Sequence, residues 1–434
     1  MKTGGLGLDQ APPLSIPASF FLTIPVGILC TAYFMFTAVA ASLGSPWTPE
    51  VLALTHAATV GILAMGMLGA LYQMTPVVAG TAVPFARLAH MVHALMLLGL
   101  GGFLWRLTGG PVYAMTTAIS FFTIALFAFL LPLGWALLHS ATRNETVQGI
   151  RLAVLSLAAV TVIGLVMARG FAGGTFPARQ MLWVQIHITL ALLGWVGGLI
   201  MAVSWQVIPM FYLATTTSVT ARRWMFGLLL VGLVLPLVCI QFFDTGIGHV
   251  SPGQLAAIAA LPAAVVIWLG HPALVLHGIS HRKRKRNDAS LLFWKTGLVI
   301  ALTLIPAAIT ALLLPDPRWQ VLFGWLAIWG WAGLIMHGML SRIVPFLVWF
   351  HRYSPRVGLE PVPSMRSLLS QRRIRLGFAL HLSSVLLGAA TILVQANILA
   401  QITGLLLMAT ALSLGSTLVH VLKRQPLQVD STVN

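Results

Sequence analysis

Acidic residues are nearly missing from this chain, with eight Asp and Glu against 25 Lys and Arg in 434 residues. All eight lie in loops, tails or the ends of apolar stretches. Proton pumps and ion-coupled carriers keep ionisable relays inside the membrane, so a proton-pumping machine is not expected. Cysteine is limited to Cys30 and Cys239, far apart and both in apolar surroundings. There is no CxxC and no CxxCH, which excludes a disulfide framework and covalent haem attachment. The opening "MKTGGLGLDQAPPLSIP" carries no cleavable signal pattern, so the first apolar stretch is expected to stay in the protein.

Charge of any sign is scarce, at 8% of residues, while 58% are apolar and the mean hydropathy is +0.94. That balance excludes a water-soluble globular protein and specifies a polytopic membrane protein. Stretches of about twenty apolar residues, each able to cross ~30 Å of hydrocarbon as a helix, recur along the whole length. Twelve are expected, at 17–43, 51–79, 86–107, 111–139, 148–170, 181–213, 223–244, 253–277, 290–314, 319–348, 373–396 and 398–422. The fold class is therefore all-α: one domain over 17–422, with tails at 1–16 and 423–434.

The net charge of +17 suggests nucleic acid, but its distribution does not. With the N-terminus in the cytoplasm, all the Lys and Arg except Arg106, Arg169, Arg179 and Arg318 fall on the cytoplasmic side. This bias predicts cytoplasmic termini and the inner membrane of a bacterium. "HRKRKR" at 281–286 reads as a topological anchor or a surface for anionic lipid. The lipid bilayer is the expected partner and nucleic acid is not.

An internal repeat organises the chain. "GILAMGMLGALYQMTP" (61–76), "GWVGGLIMAVSWQVIP" (194–209) and "GWAGLIMHGMLSRIVP" (330–345) each run sixteen residues from Gly to Pro. The fourth position is small, and Gln73, Gln206 or Arg342 stands three before the proline. These segments close the second, sixth and tenth stretches. A second echo joins "RLAHMVH" (87–93) to "RLGFALH" (375–381), each with His at its seventh position. Small residues allow close helix approach in lipid, which accounts for the glycines, but a threefold recurrence points to three pseudo-repeated four-helix arcs.

Twelve helices in three arcs, with histidines on the second, sixth and tenth, resemble the large subunit of the haem–copper oxidase superfamily, which includes nitric-oxide reductases and C-type oxidases. The resemblance implies haem b and copper as cofactors, and other respiratory subunits or a redox partner. His56 resembles the low-spin haem ligand and His187 the copper ligand. Imidazole suits both metals. The sequence departs from the oxygen-reducing pattern in two places. After the seventh stretch, "VCIQFFDTGIGH" offers Asp244 and His249 at most, with His249 as the second copper candidate. The tenth stretch has a single histidine, with Trp325, Trp329 and Trp331 in its outer half. A complete oxygen-reducing centre is not expected.

Depth sorts the histidines within the hydrocarbon: His56, His90, His93, His187, His337 and His381. His56 and His187 precede their repeat prolines by 20 and 22 residues, which places them within ~3 Å in depth. His337 precedes Pro345 by 8 residues, ~18 Å deeper than His56, so the two make a poor pair for one haem. His337 is instead expected to share an inner cluster with His93 and His381, with His90 near them. For any one of these histidines, a single interhelical hydrogen bond is an equally good explanation. His271 lies towards the inner end of the eighth stretch, and the other histidines lie at helix ends or in loops. Arg342 is expected to snorkel to the cytoplasmic surface; a haem propionate or lipid phosphate is the other candidate partner. Three functions follow: redox or metal handling, a permease for metal, haem or small solutes, and a non-catalytic assembly or scaffold subunit.

Overall fold

The structure, a computed structural model, describes residues 11–242, 250–283 and 288–425. Its spanning helices are α1 (Ser15–Thr37), α2 (Pro49–Ala79), α3 (Ala86–Leu107), α4 (Val112–Leu138), α5 (Glu145–Phe171), α6 (Gln180–Tyr212), α7 (Val219–Phe242), α8 (Leu261–Ser280), α9 (Ser290–Leu313), α10 (Arg318–Arg352), α11 (Gln371–Val394) and α12 (Asn397–Leu422). Among the described residues twelve helices are long and apolar enough to cross a bilayer, and the chain is a multi-pass membrane protein. An even number of crossings puts the start of α1 and the end of α12 on one face, called here the terminal face.

Most boundaries match the sequence expectation, and two differ for local reasons. The first helix stops at Thr37 and not at 43. The chain extends at Ala38 and turns through Ala40–Gly44, where Asn397 Oδ1 accepts from the Ala40 amide at 2.8 Å. The stretch 253–277 divides into a short helix, Pro252–Ala259, and α8. The break precedes Pro262, whose missing N–H is harmless only in a first turn.

Nine helices form a closed ring in which neighbours touch in the order α1, α12, α11, α9, α8, α7, α5, α4, α3 and back to α1. The repeat helices α2, α6 and α10 stand inside it. Of their most apolar windows 67, 78 and 72% is buried, against 28–56% for the other nine. Each inner helix opens into a π-helical segment around the repeat's first glycine, at Thr59–Ala64, Leu190–Gly197 and Leu326–Gly333. The segment of α10 touches those of α2 and α6. The threefold repeat is thus a repeat of backbone shape, with a widened turn meeting its counterparts at the bundle axis.

The repeat does not extend to side-chain environment. Gln73 is buried, Gln206 is exposed and Arg342 is buried. Hydroxyls within the helices mostly donate back to carbonyls one turn earlier, as Thr31 does to Gly27 and Ser156 to Leu152, which satisfies them without water.

Candidate functional site

His56 and His187 lie towards the face opposite the termini, on α2 and α6. The chain turns into α2 at Thr48, whose hydroxyl accepts from the Val51 amide. Two turns later His56 Nδ1 donates to the Leu52 carbonyl at 2.8 Å. That bond fixes the tautomer and leaves Nε2 as a bare lone pair. The ring also packs on Phe103 of α3, with centroids 4.7 Å apart. His187 sits against Gly164 of α5, where a methyl group would come 3.1 Å from Cε1. The Val160 carbonyl lies beside its ring. His187 Nδ1 is buried with no hydrogen-bond partner, an arrangement that costs free energy unless something else meets it. Both rings, with Phe103, Val160 and Gly164, are half-buried, so the space they face is not sealed.

The sequence expectation gave these two histidines to separate cofactors; the structure places both at the end of the bundle opposite the termini, one against Phe103 of α3 and the other against Gly164 of α5. His249 and Asp244 lie outside the described residues. Among the described residues no group of three His, Cys, Asp or Glu is placed to hold a metal ion. Among the described residues a copper ion would find two imidazoles here and no third His, Cys, Asp or Glu. A haem would ask less of the protein, because its macrocycle carries four nitrogens of its own and His56 and His187 would be the residues to hold it. Arg106, one turn beyond Phe103, donates to the carbonyls of Phe171 and Gly110 at 2.9 and 3.3 Å. It is the cation on this side of the bundle nearest in sequence to His56's aromatic neighbour.

The inner group separates into two. His337 and His381 meet, with their Nδ1 atoms 3.1 Å apart. His381 Nε2 donates to the Trp329 carbonyl at 3.1 Å, and its ring stacks on Trp329 at 3.8 Å between centroids. His381 Nδ1 must then accept, so His337 Nδ1 donates and His337 Nε2 is left as a free acceptor. His93 does not join them. It bonds Thr23 Oγ1 at 2.6 Å and packs edge-on against Phe20, holding α3 to α1. His90 reaches Ser15 at 3.5 Å. The expected cluster of His337, His93 and His381, with His90 near them, is therefore a hydrogen-bonded His337–His381 pair and two separate interhelical contacts.

Arg342 overturns its expectation outright: it does not snorkel but is 6% exposed. It is ion-paired with Asp288 at the start of α9. Its Nε donates to Ser290 Oγ at 3.0 Å, and its guanidinium lies 5.7 Å from the Tyr212 ring centre. Ser290 Oγ in turn donates to Asp288 Oδ1 at 2.7 Å and accepts from Tyr212 at 2.8 Å. Arg366, from the loop before α11, reaches the same carboxylate at 3.7 Å. The sequence reading placed the acids in loops, tails or the ends of apolar stretches, and missed that the Asp288 side chain is buried.

His271 was also passed over. It is buried, with Nε2 2.8 Å from Ser204 Oγ of α6 and Nδ1 unpartnered. An apolar neighbourhood and an i, i+67 partner leave no trace in local pattern. No protein-family model matches this sequence, and no curated protein is significantly similar to it.

Proposed function

We propose that this chain is a membrane redox protein that holds a b-type haem between His56 and His187, a diverged relative of haem–copper oxidase large subunits that does not reduce oxygen. The observation that carries the reading is a pair of histidines on two repeat helices. One has its tautomer fixed by a backbone carbonyl, and the other presents a buried, unpartnered nitrogen. A haem bound by two imidazoles supplies a one-electron iron couple. The protein's part is to hold His56 Nε2 towards the site through Leu52, seat His187 against Gly164, and flank the ring edge with Phe103. Arg106 supplies a cation on the same side. Electron transfer to a respiratory partner or transfer of the cofactor itself fits this site. In this reading the terminal face is cytoplasmic and the membrane is the bacterial inner membrane, because the basic residues crowd that face.

The test is an absorption spectrum with pyridine haemochrome and metal analysis on purified full-length protein. A Soret band and one b-type haem are expected. His56→Ala and His187→Ala are each expected to lose it, while His93→Ala keeps it because His93 serves Thr23. Bound copper without haem would reassign the two imidazoles to copper. Protein with neither, and with substrate-dependent uptake in proteoliposomes, would carry the permease reading instead.

A further inference from the structure

His337 stands on the inner helix α10 and is 8% exposed, where it borders a small internal space. Two such spaces lie side by side where α10 meets α11, with Ser341, Pro345, Leu369 and Ile374 in the linings of both. Each has a volume of about 10 Å³, room for one water molecule. The first is also lined by His337, Gly377, and Ser413 and Thr417 of α12, and the second by Arg342, Arg366 and Gln371.

The hydrogen-bond roles around the first space are set from its far side. The Trp329 carbonyl accepts from His381 Nε2, and His381 Nδ1 accepts from His337 Nδ1, so His337 Nε2 keeps a lone pair. Ser341, one turn further along α10, donates its hydroxyl proton to the Gly338 carbonyl at 2.6 Å. It too meets the space with lone pairs alone. Thus α10 presents two acceptors spaced i, i+4, and α12 presents two hydroxyls at the same spacing, Ser413 and Thr417. A buried acceptor without a donor costs about 1–3 kcal/mol, so the space calls for a donor. A metal ion does not fit, because the lining holds one imidazole and Arg373 but no carboxylate or thiolate. An anion would face two lone pairs. Water fits, as a neutral donor of one heavy atom that can also accept from α12.

Gly377 keeps the approach open. A methyl group in its place would come 3.0 Å from His337 Nε2 and stand where the donor must. The echo segment on α3 has Ala89 at this position, and its histidine, His93, bonds Thr23 directly.

We infer that this space is a built site for one water molecule, which donates to His337 Nε2 and Ser341 Oγ and accepts from a hydroxyl of α12. The water joins α10 to α12. Through the neighbouring space it gives the buried histidine pair a hydrogen-bonded path towards the terminal face. The inference is independent of haem at His56 and His187.

Nitrogen-15 spectra of histidine-labelled full-length protein in bilayers test it, together with a density map that resolves ordered water. His337 Nε2 is expected to show the shift of a hydrogen-bonded acceptor and to receive magnetisation from water protons. Gly377→Ala is expected to abolish both signals. Because that methyl group also crowds the His337 ring, Ser413→Ala with Thr417→Val gives a second variant that removes the α12 hydroxyls and leaves the ring alone. It should weaken the water signal and keep the His337–His381 bond. His93→Ala, at a histidine outside the site, is expected to leave the His337 signals unchanged. The map should show one compact peak within hydrogen-bond reach of His337 Nε2 and Ser341 Oγ. A bare Nε2 in the parent protein, signals indifferent to both variants, or elongated density in place of the compact peak would overturn the inference.

Discussion

Asp288→Ala is expected to destabilise the protein by about 3–5 kcal/mol, the range for removing one partner of a buried ion pair. The loss comes less from the missing attraction than from what stays behind. Arg342 is always charged, and among the described residues it would keep the Ser290 hydroxyl and the Tyr212 ring as its polar and aromatic partners. Ser290 would also lose the acceptor for both its amide and its hydroxyl. Arg342→Met is expected to cost less, because Arg366 already stands 3.7 Å from the carboxylate it would leave. Asp288→Ala combined with Arg342→Met removes both charges, and much of the stability is expected to return. Reversible unfolding of the four proteins gives the coupling directly. If Asp288→Ala falls within about 0.5 kcal/mol of the parent, the pair is solvated and the buried network is not a structural element.

The number and placement of the helices were legible because each had to be ~20 apolar residues long, and nothing in solution chemistry imitates that. The threefold repeat was legible through three glycine-to-proline segments, since closely packed helices need small residues where they meet, but the ring of nine helices around α2, α6 and α10 was not. The π-helical segments were not legible. They depend on how each helix packs against two others, and Thr59–Ala64 reads locally as ordinary helix. The end of α1 was misplaced because residues 38–43 are as apolar as a helix interior. Only the Asn397 contact, more than 350 residues away in sequence, shows why the chain turns there.

The histidines divide in the same way. Depth along a helix follows from counting residues, so the separation of His56 and His187 from His337 and His381 could be read in advance. Azimuth around the bundle depends on which arc a helix face meets, so His93 was grouped with His381 although one holds α1 and the other Trp329. Arg342 was misread for a related reason. Five residues beyond a buried histidine it looks close enough to water to snorkel, but its partner Asp288 comes from the start of the neighbouring helix α9. Long-range pairing of this kind is invisible to pattern.

Gly27→Leu is expected to damage both fold and site, because at this point two helices touch backbone to backbone. A methyl group on Gly27 of α1 would come 2.5 Å from the Gly61 carbonyl oxygen of α2. The atom in the way is main chain, so no rotamer change can clear it. Gly61 opens the repeat and lies within the π-helical segment of α2, five residues after His56. Forcing α1 and α2 apart must therefore tilt the half-helix that carries His56. Overpacking of this kind typically costs about 1–3 kcal/mol. Gly227→Leu on α7 supplies the control, since nothing lies within 4 Å of a side chain there and the gain in helix propensity is the same. The control is expected to be neutral or slightly stabilising, while Gly27→Leu unfolds more easily and retains less of whatever the His56–His187 site binds. Equal unfolding curves for the two variants would mean that α1 and α2 do not meet at Gly27 and Gly61, and that His56 is positioned by other contacts.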